Sequence, residues 1–354
     1  MVTLTARHKG LCGNEIPVSL NYYGFGGGEV LPAGVQIAVA TGTAGTGAPV
    51  LTGAVAAMAD EPFDYIGLPF NDTASVNTLV TEMNDTSGRW SYARQLYGHV
   101  YTAKIGTLSE LVTAGDQFNQ QHITLAGYEK ETQTPADELA ASRTARAAVF
   151  IRNDPARPTQ TGELVGMLPA PKGKRFTMTE QQTLLSHGVA TAYVESGVLR
   201  IQRDVTTYRK NAYGVADNSY LDSETLHTSA YVLRKLKSVI TSKYGRHKLA
   251  SDGTRFGPGQ AIVTPAVIKG ELLATYRQPE RGDRGKLRTF KQYLVVERDA
   301  SDPNRLNTLF PPDYVNQLRV FAWLTSSVFS RGGLHNGPVS GEPVISKLTV
   351  SSYR

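Results

Sequence analysis

The sequence predicts an α/β domain, a parallel sheet covered by helices, followed by a smaller α+β domain. Three observations predict it. From Asp64 to about Phe150, short apolar runs alternate with capped helical segments, which is the rhythm of a parallel sheet. From Leu199 to Pro265 a strand, a turn-rich connector, one long helix and a glycine-rich basic loop follow one another, and the rest of the second half is organised around them. The chain has 354 residues, 40% hydrophobic and 19% charged, a globular composition long enough for about two domains of ~150 residues.

Residues 2–20 contain two strand-like pieces, VTLTAR and IPVSLNY, joined by HKGLCGNE. They are expected to be the end of a β unit with no partner strands before it. Residues 22–60 are poor in charge and rich in Gly, Ala and Thr. Neither YYGFGGGEVLPAG nor GTAGTGAP has the G-x-x-x-x-G-K-[ST] pattern, and no Lys or Arg occurs between Lys9 and Arg89 to counter a phosphate, so loops and close-packed bends are the expected use of these glycines.

FDYIGLPF reads as a buried strand, and Asp72 is expected to N-cap the helix through Val76, Leu79, Val80 and Met83. LYGHVYTAKI is the second strand. Thr107 with Glu110 forms a capping box before LSELVTAGDQFN. QHITLAGYE is the third strand, and Thr134, Pro135 and Asp137 supply an N-cap, an N1 proline and a first-turn carboxylate for ELAASRTARAAVF. Residues 153–175 carry four prolines and read as a long ordered crossing or a linker. Thr177 with Glu180 makes a second capping box. VATAYVESGVLRIQRDV is a hairpin turning at Ser196–Gly197, with Leu199, Ile201, Val205 and Thr207 on one face and Arg200, Gln202 and Asp204 on the other.

Asp222 is placed to N-cap the long helix, and Glu224 sits in its first turn, where the macrodipole favours a carboxylate. Leu226, Ala230, Leu233, Ile240 and Tyr244 share one stripe and are expected to be buried. Gly245 is expected at C′. Lys237 projects into the stripe, where it either snorkels out or meets a carboxylate. AIVTPAVIKGELLATYRQ reads as a further helix with Pro265 in its first turn. RQPERGDRGKLR is a basic loop, TFKQYLVVER alternates like a strand, and PPDYVNQLRVFAWL supplies a last strand with Leu318, Val320, Ala322 and Leu324 on one face.

IQRDVTTYRKNAYGVADNSYLDSETLHTSAYVLRKLKSVITSKYGRHKLASDGTRFGPGQAIVTPAVIKGEL closely resembles the C-terminal domain of tail sheath proteins of Mu-type contractile-tailed bacteriophages. The resemblance continues upstream and covers roughly residues 2 to 324; it rests on a long co-linear match that includes VTTYxxNxxGxxDxSYLD and RFGPGQAIVTP. It implies a subtilisin-like sheath domain over 22–173 and a sheath C-terminal domain over 174–324. Residues 1–21 are then the remnant of an N-terminal β region, so the chain reads as N-terminally truncated, and 325–354 are an atypical tail with nothing of the family in it. It implies a structural subunit, stacked as hexameric rings in a helical sheath around the tail tube. Such a sheath contracts to drive the tube through the host envelope for genome ejection. The implied partners are the chain itself, the tube protein, and baseplate and tail terminator proteins. The implied location is the virion tail, with assembly in the host cytoplasm. The C-terminal domain is implied to touch the tube, and the residues expected there are Arg234, Lys235, Lys237, Lys243, Arg246 and Lys248, whose competing role is a solvated helix face. Leu318 to Leu324 would be sheet core or the strand that receives a neighbour's arm. With one arm missing and the other altered, the chain is expected to fold at least in part but to assemble poorly into long sheaths.

Chemistry is sparse. Cys12 is the only cysteine, which excludes an internal disulfide framework and fits a reducing compartment; the seven His are scattered without ligand spacing. No cofactor or metal is expected. No apolar run reaches the ~20 residues of a membrane span, and the N-terminus lacks a signal-peptide h-region. The net charge of +6 is spread along the chain, with local excess only at Arg234–Lys248 and Arg277–Arg288. A non-specific nucleic-acid module using that basic helix is one alternative, weakened because Tyr231 and Tyr244 are its only aromatics. A serine hydrolase is the other. Asp72 follows the first strand, but its simpler role is a cap, His99 lies inside a strand, and no Gly-Thr-Ser stretch is present. The expectation is a protein without catalysis.

Overall fold

Apolar runs too short for helices, each followed by a capped helix, fold here as a parallel sheet. The computed structural model describes residues 2–16, 18, 20–21, 28–40, 42–276, 290–310 and 314. Its first half contains α1 (Thr52–Met58), β1 (Tyr65–Leu68), α2 (Thr73–Met83), β2 (His99–Gly106), α3 (Leu108–Asp116), β3 (Ile123–Glu129), α4 (Ala136–Asn153), α5 (Met178–Ser186), β4 (Val189–Glu195) and β5 (Val198–Arg203). The strands pair in chain order, β1-β2-β3-β4-β5. The first four are parallel, with Ile66 beside Val100, Val100 beside Ile123 and Leu125 beside Val189; β5 returns antiparallel.

Period-two alternation sorts the strand residues onto two cores. Val100, Ile123 and Leu125 face α2, α3 and α5 through Val76, Leu79, Leu111 and Leu184. Ala103, Ala126 and Tyr128 face the other way, against Leu139 and Ala140 of α4. Parallel crossovers are right-handed, so strands added in one direction place their connecting helices on one face. α4 lies on the opposite face, and residues 153–175 bring the chain back. That stretch is an ordered crossing: Thr161 and Leu164 donate to the carbonyls of Ile201 and Leu199, which covers the outer edge of β5. The hairpin places Ser196 at φ 51° and Gly197 at φ 82°, the two positive values of a type I′ turn. The sheet therefore runs through Lys174, where the sequence reading begins the second domain.

Both capping boxes form. Thr107 accepts from the Glu110 amide while Glu110 accepts from the Thr107 amide, and Thr177 with Glu180 repeats the pattern. Replacing Thr107 with Ala removes one acceptor from exposed helix amides and is expected to cost about 1 kcal/mol in urea unfolding; a variant as stable as the parent would show that the box is ornamental. Asp72 caps α2 by accepting from Ser75, as expected.

Several expectations are corrected. Among the described residues, 2–16 contain no strand: VTLTAR is exposed along its length instead of pairing, and the joining segment HKGLCGNE carries a 3-10 helix at Leu11–Glu15. α4 begins one residue late, with Pro135 at the cap position, and the Thr134 hydroxyl accepts from the Leu168 amide at 2.7 Å. Residues 290–293 are helical, so only the second half of TFKQYLVVER is a strand.

The second half contains α6 (Ser223–Tyr244), β6 (Lys248–Leu249), β7 (Ile262–Val263), α7 (Pro265–Tyr276), β8 (Val295–Arg298) and β9 (Leu306–Leu309). β6–β7 and β8–β9 are separate two-stranded ribbons. A third core joins Val232 and Leu236 of α6 to Ile268 and Leu272 of α7 and to Phe290 and Leu294. The buried face of α6 differs from the expected stripe: Leu226 and Ala230 are buried, but Val232 and Leu236 replace Leu233, and Ile240 and Tyr244 are only half-buried. Lys237 lies on the exposed face. Gly245 ends the helix in right-handed geometry, φ −58°, so its expected left-handed cap does not form.

Candidate assembly surface

α6 has 22 residues, about 33 Å at 1.5 Å per residue, and its two ends sit in different surroundings. Its first turn is buried on β2. Ser223 and Glu224 have no exposure and His227 only 6%. Glu224 Oε1 accepts from the Thr159 amide at 2.9 Å and the Thr159 hydroxyl at 3.0 Å. The Tyr101 hydroxyl is 2.9 Å from His227 Nε2 and 3.3 Å from Ser223 Oγ. The His227 ring stacks on Tyr65 at 4.8 Å. Burial pulls the His227 pKa down to about 4, partly offset by Asp64 and Asp204. Burial, with His227 and His122 nearby, holds His99 well below its ordinary value.

Asp222 occupies the N-cap position without making a side-chain cap. Its carboxylate instead receives both Nε and Nη2 of Arg203, at 2.8 and 3.0 Å, a fork the backbone amide cannot match in strength. Beneath it, Arg143 and Asp204 form an ion pair at 2.5 Å with neither side chain exposed. Arg143 also donates to the Tyr128 hydroxyl and to the carbonyls of Thr191 and Arg203. The expected polar face of Asp204 is therefore interior. The hub is not legible in the sequence: α4 carries Arg143, Arg146 and Arg152, and nothing local marks the first of them as the buried one.

The six basic residues of the sequence reading are not brought together as one free patch. Arg234 is ion-paired with Asp64 at 2.5 Å, donates to the Leu96 carbonyl and lies over the Tyr97 ring. Lys243 pairs with Glu271 at 2.5 Å. Lys235 is half-buried, and Lys237, Arg246 and Lys248 are exposed toward the far end of the helix. Leu318, Val320, Ala322 and Leu324 lie outside the described residues.

The residues weighed for catalysis are kept apart. Asp72 accepts from Ser75, its amide at 2.9 Å and hydroxyl at 2.7 Å, while His99 Nε2 is 2.9 Å from Thr124 Oγ1 inside the sheet. Among the described residues, no group of three His, Cys, Asp or Glu is placed to hold a metal ion, and no helix is long and apolar enough to cross a membrane.

Comparison with known proteins follows the same division of the chain. The family model described as phage tail sheath protein central domain matches residues 44–207, and phage tail sheath C-terminal domain matches residues 215–326. The Mu-like prophage FluMu tail sheath protein of Haemophilus influenzae is 40% identical over 323 residues, 91% of this chain. The chain spans 65% of that relative's length. Among solved structures, the sheath tail protein of Desulfitobacterium hafniense matches with a TM-score of 0.48 at 14% identity, over 74% of this chain and 59% of that one. The sheath tail protein of Listeria innocua matches with a TM-score of 0.48 at 11% identity, over 73% and 56%. With two tail sheath models in succession and a tail sheath relative matched along nine-tenths of this chain, the chain belongs to the phage tail sheath proteins.

Proposed function

We propose that this chain is a structural subunit that polymerises around a phage tail tube and contracts to drive the tube through the host envelope. The carrying observation is the 40% identity, sustained over 323 residues, to a Mu-like prophage tail sheath protein. On this reading the work comes from a difference in packing between two arrangements of the same subunits, without fuel, as in other bistable interfaces. The subunits stack as hexameric rings and meet tube, baseplate and terminator proteins in the virion tail after assembly in the host cytoplasm. The placing of Asp72 as a cap and His99 as a strand-core residue supports a part without catalysis. The layered sheet over residues 65–203 supports a subtilisin-like label for the central domain. We place the domain junction in the connector after β5, between the two family matches. Lys237, Arg246 and Lys248 are the proposed tube contacts, since Arg234 and Lys243 are held by carboxylates of this chain. Leu318 to Leu324 are proposed as sheet core or the strand that receives a neighbour's arm.

The test is negative-stain electron microscopy of the purified chain with and without a cognate tail tube. Rings, or short cylinders with a cogwheel profile on the tube, are the expected result. Bare tubes beside free monomers at every concentration would overturn the reading.

A further inference from the structure

Two features of the chain are unused by anything above, and they lie at opposite ends of the five-stranded sheet. The first is a hairpin over residues 209–217. Asn211 and Val215 pair across it, Gly214 donates to the Asn211 carbonyl, and the Asn211 side chain accepts from the amides of Tyr213 and Val215. Its base is clamped: Asn119 bonds the backbone of Arg209 and Lys210, Arg209 pairs with Asp116 at 2.6 Å, and the Tyr208 hydroxyl donates to Asp217 at 2.7 Å. At the tip of this fully bonded turn Tyr213 is 91% exposed and Val215 60%. An aromatic ring on a pre-ordered turn loses little further freedom on docking, and Tyr is a typical interface anchor.

The second feature is a cleft of about 1550 Å³. It opens beyond the ends of β1, β2 and β3, the position where open α/β sheets receive what they bind. Phe70 and Ile105 give it an apolar floor, and the turn carrying Cys12 and Ile16 forms a wall. Asn71 there bridges Glu15 and Lys104, at 2.9 and 3.1 Å, so polar groups wait beside the apolar surface.

The hairpin's anchors, Asn119 and the Gln120–Thr207 pair, precede β3, whereas the cleft follows it. Seven residues of strand, roughly 20 Å, separate them, so the hairpin cannot reach its own cleft. Resting on the assembly reading, we infer that the cleft receives the 209–217 hairpin of a second copy of this chain, with Tyr213 leading. A knob and a hole at opposite ends of one subunit make a head-to-tail contact, the kind that generates rings or helical filaments, while a two-fold contact closes at the dimer.

The single native cysteine, Cys12, lies in the cleft wall and supplies the test. Full-length chains carrying Tyr213→Cys together with Cys12→Ser are mixed with wild-type chains of different mass and oxidised with diamide. Mixed dimers bridged between position 213 and Cys12, identified by peptide mass mapping, are expected in excess of both like-with-like products. Tyr213→Ser is expected to leave thermal unfolding unchanged and to weaken self-association about 30-fold in sedimentation. Like-with-like dimers alone, or no cross-link, would overturn the contact. Wild-type rings seen by microscopy alongside that negative result would leave the assembly reading standing; monomers throughout would sink both.

Discussion

Replacing Arg143 with Met is expected to cost 3–5 kcal/mol, the range for removing one partner of a buried ion pair. The side chain is wholly buried and ties four things to α4: the Asp204 carboxylate, the Tyr128 hydroxyl and the carbonyls of Thr191 and Arg203. Methionine fills most of the volume but leaves Asp204 charged, buried and unpaired. The carboxylate must then either stay charged at a desolvation cost or take up a proton. Adding Asp204→Leu removes that charge and is expected to return part of the loss, though not all, because the two carbonyls have still lost their donors. The double-mutant cycle should therefore show a coupling within the 0.5–3 kcal/mol typical of contacting residues. Urea unfolding followed by tryptophan fluorescence at neutral pH measures each corner. An Arg143→Met variant within 1 kcal/mol of the parent would mean that water reaches Asp204 and that the hub is not a dry one.

That hub also shows where sequence reading stops. Thr107 and Glu110, or Thr177 and Glu180, are three residues apart and bond within one turn, so their chemistry is legible in a short window. The strand–helix rhythm and the Ser196–Gly197 turn are legible for the same reason. Arg143 and Asp204 are 61 residues apart, and nothing local distinguishes Asp204 from Arg200 and Gln202, the half-buried residues read onto the same face. Asp222 illustrates competition: its position at the helix start is legible, but a guanidinium 19 residues away wins its carboxylate from the backbone amides. Local propensity was equally silent about Arg234, whose partner Asp64 belongs to another segment altogether. For the candidate surface the consequence is direct. A run of basic residues on a helix predicts charge but not which charges are free, and here at least two of the six are already spent within the chain.

Acid should loosen α6 from the sheet. His227 is pulled from its ordinary value of 6.5 to about 4 because burial disfavours the imidazolium, and it sits with His99, also held neutral, between β2 and the helix. The unfolded chain therefore binds a proton near pH 6.5 that the folded chain refuses until about pH 4. Stability rises with pH wherever the unfolded state holds more protons, so this contribution is complete above pH 6.5 and is lost as pH falls toward 4. For His227 alone the loss amounts to about 3 kcal/mol at 1.36 kcal/mol per pKa unit. His227→Asn keeps a polar group beside the Tyr101 hydroxyl and removes the titration. The stability gap between parent and variant, measured by urea unfolding from pH 7 to pH 4, is expected to shift by about that amount in the variant's favour. A gap that does not change with pH would show that water or a rotated ring lets His227 accept its proton in the folded chain. If the gap closes as expected, the start of α6, which carries Ser223, Glu224 and His227 onto the sheet, is a joint that needs an uncharged imidazole. Hydrogen exchange at pH 4.5 should then find that turn opening before the capped helices α3 and α5, whose boxes are formed by Thr and Glu and involve no histidine.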